Sequence, residues 1–255
     1  MLTVEHLTVR YGDFTAVSDV SFRLEAGQWL MLCGPNGAGK SSLLGALSLR
    51  VPSAGRLLML GQDLRTMKPA ERARRIAVLA QRNSAAYAYT VEELVRLGRY
   101  AHRKGWLAAG ADPEGEEKVE KALAAAGLTE YRRTSLLALS GGELQRAFLA
   151  QVLAQDPCLL LLDEPVNHLD LRYQRQLLDL VAAWAAEKPG RAVLAAVHDL
   201  SLALRYGTHA LLLQSGRAAG CGTPAEVLTP ERLHSVWGMD VAGWMRDLAE
   251  PWQRD

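Results

Sequence analysis

The run Gly34-Pro35-Asn36-Gly37-Ala38-Gly39-Lys40-Ser41 carries the pattern GxxxxGK[ST]. Glycines at such spacing let backbone N–H groups converge on phosphate oxygens, and a helix N-terminus behind them adds partial positive charge. Lys40 would then reach the β- and γ-phosphates, the Ser41 hydroxyl would bind Mg²⁺, and Ser42 continues the first turn of the helix. A second group is Asp163-Glu164, which closes the apolar run Leu159-Leu160-Leu161-Leu162. A carboxylate at the C-terminal end of a parallel strand points into the crevice where open α/β sheets bind ligands. There Asp163 would hold Mg²⁺ and Glu164 would orient or deprotonate an attacking water. Taken alone, the same pair also suits an ordinary strand-to-helix turn. The third group is Ser140-Gly141-Gly142-Glu143, a capping box whose two glycines leave first-turn N–H groups open to an anion. Without the other motifs it would read equally as a well-capped helix.

The elements needed to position these groups are legible. Val20, Phe22 and Leu24 alternate with Ser21, Arg23 and Glu25, the period of a half-buried antiparallel strand. Trp29 to Cys33 is a continuous apolar run, as in a strand buried on both faces. The pattern predicts a helix over 40–49, a strand over 55–61, a helix over 69–75 and a strand over 76–80. Thr90 with Glu93 opens a helix by a capping box. Asp112-Pro113 is expected to start another, as N-cap and N1 proline, with Gly127 at its C′ position. Residues 84–155 therefore read as mainly helical. Strands over 158–162 and 192–197 flank a helix over 171–187, and Thr223–Glu226 and Thr229-Pro230 start two more helices. Strand–helix alternation interrupted by a helical stretch implies an α/β core with an inserted helical subdomain.

Composition narrows the function classes. The 255 residues are 49% hydrophobic and 22% charged, near the globular average and unlike a disordered chain. Lys and Arg number 29 against 28 Asp and Glu, a net charge of +1 that does not suit a protein coating nucleic acid. The Arg72, Arg74 and Arg75 cluster reads as a solvated helix face. Three dispersed cysteines (Cys33, Cys158, Cys221) suggest neither a disulfide framework nor a zinc site, and Cys33 and Cys158 read as buried and reduced. No signal-peptide core and no membrane-spanning run is apparent.

With these residues in view, Leu139-Ser140-Gly141-Gly142-Glu143 resembles the signature motif of ABC-type ATPases. The phosphate loop, the signature and Leu159 to Glu164 occur in that order in the family, and the resemblance extends to about residue 215. It implies a P-loop NTPase core with a mixed, largely parallel sheet, an N-terminal antiparallel β subdomain and an inserted α-helical subdomain. Within one cassette spanning 1–255, the core would comprise 1–83 and 156–215, the signature subdomain 84–155 and a C-terminal extension 216–255. It also implies roles for residues that spacing alone leaves unassigned. Tyr11 falls where an aromatic ring stacks on adenine. Gln81 matches the glutamine that senses Mg²⁺ and the membrane partner, and His198 the switch histidine near the γ-phosphate. Asn167-His168-Leu169-Asp170 matches a loop crossing the dimer interface, and Arg146 follows the signature as expected. Ala80, where relatives often have proline, and Val166, where threonine is commoner, are small departures.

The resemblance implies a homodimer, or a pair with a similar subunit, holding two ATP molecules, because one chain carries one copy of each motif. It implies two multi-spanning permeases as partners on the cytoplasmic face of the membrane, and indirectly a periplasmic or lipid-anchored binding protein. Tyr87 and Tyr89 are candidate permease contacts or else pack within the helical subdomain, and Trp237, Trp244 and Trp252 are expected to pack or to meet a partner. The stretch 90–100, together with 167–174 and 197–203, resembles uptake ATPases for iron–siderophore, haem and cobalamin. Another importer or exporter class, or a soluble ABC ATPase of translation or DNA repair, is the alternative.

Overall fold

The structure is a computed structural model and describes residues 1–81, 87–103, 112–167 and 169–252. In chain order the first elements are β1 (Leu2–Tyr11), β2 (Phe14–Leu24), β3 (Trp29–Cys33), α1 (Lys40–Leu47), β4 (Ala54–Met59), β5 (Gln62–Asp63), α2 (Pro69–Arg75) and β6 (Ile76–Leu79). They are followed by α3 (Val91–Leu97), α4 (Gly115–Ala125), α5 (Gly141–Ala154), β7 (Leu159–Asp163), α6 (Leu171–Glu187) and β8 (Ala192–Ala196). The chain ends with α7 (Leu200–Tyr206), β9 (His209–Gln214), β10 (Arg217–Gly222), α8 (Pro224–Val227), α9 (Pro230–Trp237) and α10 (Val241–Ala249). Two compact units result: one of Met1, Glu25–Gly27 and Gln62–Ala195, the other of Leu2–Leu24, Gln28–Gly61 and Ala196–Asp255.

In the unit containing the N-terminal strands, β1 lies between β2 and β4, antiparallel to both. The alternation read from the sequence holds in β2, where Val20, Phe22 and Leu24 are buried and Ser21 and Arg23 exposed. In the same unit β3 runs parallel to β9, and β10 closes antiparallel on β9. All five residues of β3 are buried, which explains why its apolar run is unbroken.

In the other unit β6 and β7 pair in parallel, Ile76 opposite Leu159 through Leu79 opposite Leu162, and β8 borders β7. Every residue of β7 and β8 is buried. The described elements between residues 91 and 154 are helical, apart from an isolated bridge between Thr90 and Ser135. Both capping boxes form as read, Thr90 with Glu93 and Ser140 with Glu143.

One helix start departs from expectation. α4 begins at Gly115 with Glu114 as N-cap, and Asp112 does not cap it. The Asp112 carboxylate is taken by Arg99, whose Nε and Nη2 donate to its two oxygens at 2.8 and 2.9 Å. The same carboxylate also takes a backbone hydrogen bond from Glu114, so the Arg99 fork adds to a local turn instead of replacing it. Gly127 does close α4, at a φ of 64°. The three cysteines are unpaired, and Cys158 is half-buried rather than buried. At the other end, Trp237 is half-buried, while Trp244 and Trp252 are 55% and 90% exposed and do not pack inside the unit. Among the described residues no helix is long and apolar enough to cross a membrane.

Candidate functional site

The phosphate loop leaves β3 at Gly34 and enters α1 at Gly39, with backbone φ of 144° and 100°. A side chain at either position would also run into backbone, the carbonyl of Leu213 at Gly34 and that of Ala16 at Gly39. Glycine is therefore required there by conformation and by space. Between them Asn36 and Gly37 are exposed, while Ala38 is buried. Gly39 caps α1 without a side-chain hydrogen bond, and the first turn carries no acidic residue that would repel an anion. Lys40 is only 5% exposed, and its Nζ donates to the carbonyls of Gly34 and Pro35 at 2.7 and 3.1 Å. Those bonds hold the ammonium across the loop.

Two further expected residues belong to the same unit. Tyr11, exposed at the end of β1, donates its hydroxyl to Ser42 Oγ at 3.4 Å, which brings its ring to the first turn of α1. Val197 N donates to Leu32 O at 3.1 Å, so the segment carrying His198 leaves alongside β3, the strand that feeds the phosphate loop. His198 is exposed, and Asp199 after it caps α7 by accepting from Ser201 N at 2.8 Å.

The acidic residues sit in the other unit. Asp163 and Glu164, 6% and 8% exposed, stand at the end of β7. Glu164 has a φ of 49°, a left-handed conformation that costs a non-glycine residue about 1–3 kcal/mol and persists where neighbours hold it. Gln81, just beyond β6, donates Nε2 to Glu164 Oε2 at 2.5 Å, and Asn167 Nδ2 donates to the same oxygen at 2.9 Å. Parallel pairing of β6 with β7 is what brings Gln81 to Glu164 across 83 residues. The turn after Glu164 is closed by Asn167 N on Glu164 O at 3.2 Å, and Asp170 caps α6. Leu169 is half-buried; His168 lies outside the described residues.

The signature turn also lies in this second unit. Ser140 N and Oγ donate to Glu143 Oε2 at 2.8 and 2.7 Å, and Glu143 N returns a bond to Ser140 Oγ at 3.4 Å. These bonds hold the Glu143 carboxyl below its ordinary range, and the hydrogen bond that Glu143 accepts from Tyr131 pushes the tyrosine hydroxyl upward. Leu139 is half-buried and Ser140 and Gly141 are exposed, so the turn faces outward. Two residues in this region had no assigned role. Gln145 Nε2 donates to Pro165 O at 3.1 Å, tying α5 to the turn after Glu164. The Tyr173 ring lies against Gly142 and under Arg146. Their signal in the sequence is faint: an amide five residues past Ser140 and an aromatic three past a helix cap.

The ABC transporter family profile matches residues 17–167. The hemin import ATP-binding protein HmuV of Pseudomonas entomophila (strain L48) is 47% identical over 247 residues, 94% of each chain. The ferric enterobactin transport ATP-binding protein FepC of Escherichia coli (strain K12) is 39% identical over 92% of this chain and 86% of its own. A solved structure assigned to the metal-chelate type of ABC transporter, in an inward-facing conformation, superposes with a TM-score of 0.79 at 26% identity, covering 94% of this chain and 89% of that one. The chain belongs to the ABC transporter family as an ATP-hydrolysing subunit.

Proposed function

We propose that this chain powers a metal-chelate importer, with haem, a ferric siderophore or cobalamin as cargo. Its similarity to hemin and ferric enterobactin import ATP-binding proteins along nearly the whole chain supports that class. In this reading two copies close head to tail, each signature turn (139–143) meeting the ATP held by the other's phosphate loop. Closure and opening are transmitted to two multi-spanning permeases from the cytoplasmic face of the membrane, where a periplasmic or lipid-anchored binding protein delivers cargo on the far side. The segment 84–155 meets the permeases, with exposed Tyr87 and Tyr89 at the contact.

Each residue has a task in the reaction. Lys40 and the backbone N–H groups of residue 34 and of residues 36–42 bind the phosphates beside Pro35, which shapes the loop without donating, and Tyr11 packs on the adenine. Glu164 accepts the proton of the attacking water, oriented by Gln81 and Asn167, and His198 supports the γ-phosphate. Ser41, Gln81 and Asp163 would hold Mg²⁺, which supplies charge neutralisation between the phosphates. Asn167, His168, Leu169 and Asp170 form the edge that meets the partner chain.

The observation that carries the hydrolytic assignment is a buried, doubly hydrogen-bonded carboxylate directly after an apolar strand. Glu164→Gln tests it: the variant is expected to bind ATP, to accumulate as an ATP-bound dimer and to hydrolyse at least about 100-fold more slowly. Wild-type turnover would overturn the assignment. Uptake of radiolabelled haem, ferric chelate or cobalamin by cells with and without the gene tests the cargo; export, or no change in any of the three, would overturn the importer reading.

A further inference from the structure

The two glycines of the signature turn differ in their surroundings. A side chain at Gly141 would meet nothing within 4 Å, whereas a Cβ at Gly142 would stand 2.9–3.2 Å from three ring carbons of Tyr173. Gly141 faces open space, from which a ligand can approach. Gly142 faces inward onto an aromatic ring of its own chain.

That ring is held on its other sides. Tyr173 is half-buried in the first turn of α6, and its backbone N donates to the Asp170 carboxylate at 2.9 Å. The guanidinium of Arg146 lies 5.4 Å from the ring centroid, and its Nη1 donates to Ala126 O at 2.9 Å. Arg146 extends from α5 one turn beyond Gly142, so the ring is flanked by two residues of α5. A second tie joins the same helix to the turn after Glu164, through Gln145 and Pro165 O. Among the described residues α5 therefore meets the 164–173 segment at Pro165 and at Tyr173, and the Tyr173 contact is made on the signature glycine.

We propose that Tyr173 is a positioning residue for the signature turn. Its ring seats Gly142 and sets the depth of the first turn of α5 against the interface loop ending at Asp170. The inference rests on the reading that this turn takes the ATP of the partner chain. Its physical basis is that a planar ring, itself fixed by a helix cap and a cation–π contact, allows backbone approach only where Cβ is missing. Gly142 is then required by its own chain, independently of any closeness to nucleotide.

The test uses the full chain in the Glu164→Gln background, with ATP-dependent dimerisation followed by light scattering. Tyr173→Ala is expected to raise the ATP concentration for half-maximal dimerisation about tenfold, the size of a typical contact coupling. Binding of a fluorescent ATP analogue to the monomer should stay within about twofold, since Tyr173 does not belong to the phosphate loop. Tyr173→Phe should behave as the parent, because the ring and not the hydroxyl seats the glycine. Gly142→Ala should impair dimerisation, and adding Tyr173→Ala to it should recover part of the loss, because the new methyl enters the space the ring has left. Undiminished dimerisation of Tyr173→Ala overturns the proposal. So does a double variant as impaired as the two single losses combined. If Tyr173→Ala does not fold, as judged by circular dichroism, Tyr173→Phe and Tyr173→Leu carry the same comparison, with the planar ring alone expected to preserve dimerisation. Gly141→Arg separates the underlying reading: it fills the open side without touching Tyr173 and should abolish dimerisation. Unchanged dimerisation of Gly141→Arg would remove the signature reading itself, and this proposal with it.

Discussion

Gln81 and Glu164, 83 residues apart, are joined by a 2.5 Å hydrogen bond from Nε2 to Oε2, and Asn167 donates to the same oxygen. A carboxylate held by two amides has one orientation, and catalytic orientation is sensitive to displacements of about 1 Å. Gln81→Ala is therefore expected to lower ATP turnover roughly 10–100-fold with ATP binding nearly unchanged. Asn167→Ala should act in the same direction, and the two together should cost less than the product of their separate effects. Steady-state phosphate release beside equilibrium ATP binding checks this; full additivity would mean the two amides act independently.

Lys40 spans the phosphate loop through the carbonyls of Gly34 and Pro35. Lys40→Ala removes the ammonium and leaves the glycine conformations in place. ATP affinity should fall on the order of 100-fold, as expected for loss of charge-assisted bonds to phosphate. Calorimetric titration with ATP reads the effect, and an unchanged Kd would contradict the assigned role.

The buried pair Arg99–Asp112 ties the segment before α4 to the end of α5, since Arg99 Nη1 also donates to Ala154 O at 3.0 Å. Asp112→Ala leaves a buried guanidinium without its carboxylate, a change that costs about 3–5 kcal/mol when an ion pair is fully buried. Urea unfolding should show a loss toward the lower end of that range, because Asp112 retains some exposure. A change below about 0.5 kcal/mol, the level of an ordinary surface substitution, would mean the pair is not structural.

Glu92 receives Arg96 and Arg132, and their hydrogen bonds lower its carboxyl from 4.5 to about 2. A group depressed on folding contributes stability above its unfolded pKa and loses it as pH falls through its folded pKa. The contribution of Glu92 is thus complete above about pH 4.5 and disappears toward pH 2. The Glu92→Gln variant should melt lower than the parent at pH 7, with the gap closing between pH 4.5 and 2. The gap should be small and should shrink with salt, because Glu92 and its two arginines are only half-buried. A gap that is constant with pH would assign the effect to packing.

Much of the site was determined by local sequence. The phosphate loop, the Ser140–Glu143 cap and the apolar run before Asp163-Glu164 are each set by neighbours within a few residues: glycine where φ is positive, a hydroxyl three residues before a glutamate, aliphatic side chains where both strand faces are covered. Those requirements are short-ranged, so they are written in contiguous residues. What only the tertiary structure decided involves partners far apart in the chain. Asp112 has the sequence of an N-cap and becomes the counter-ion of Arg99, whose guanidinium fork takes both carboxylate oxygens from 13 residues away. Gln81 reaches Glu164 because β6 and β7 pair in parallel, and no local pattern encodes that register. Gly142 has the look of a glycine kept small for a ligand, yet the atoms beside it are those of Tyr173, brought there by the packing of α6 on α5. Distant side-chain pairing and strand register are decided by three-dimensional packing, and these assignments came from the folded chain for that reason.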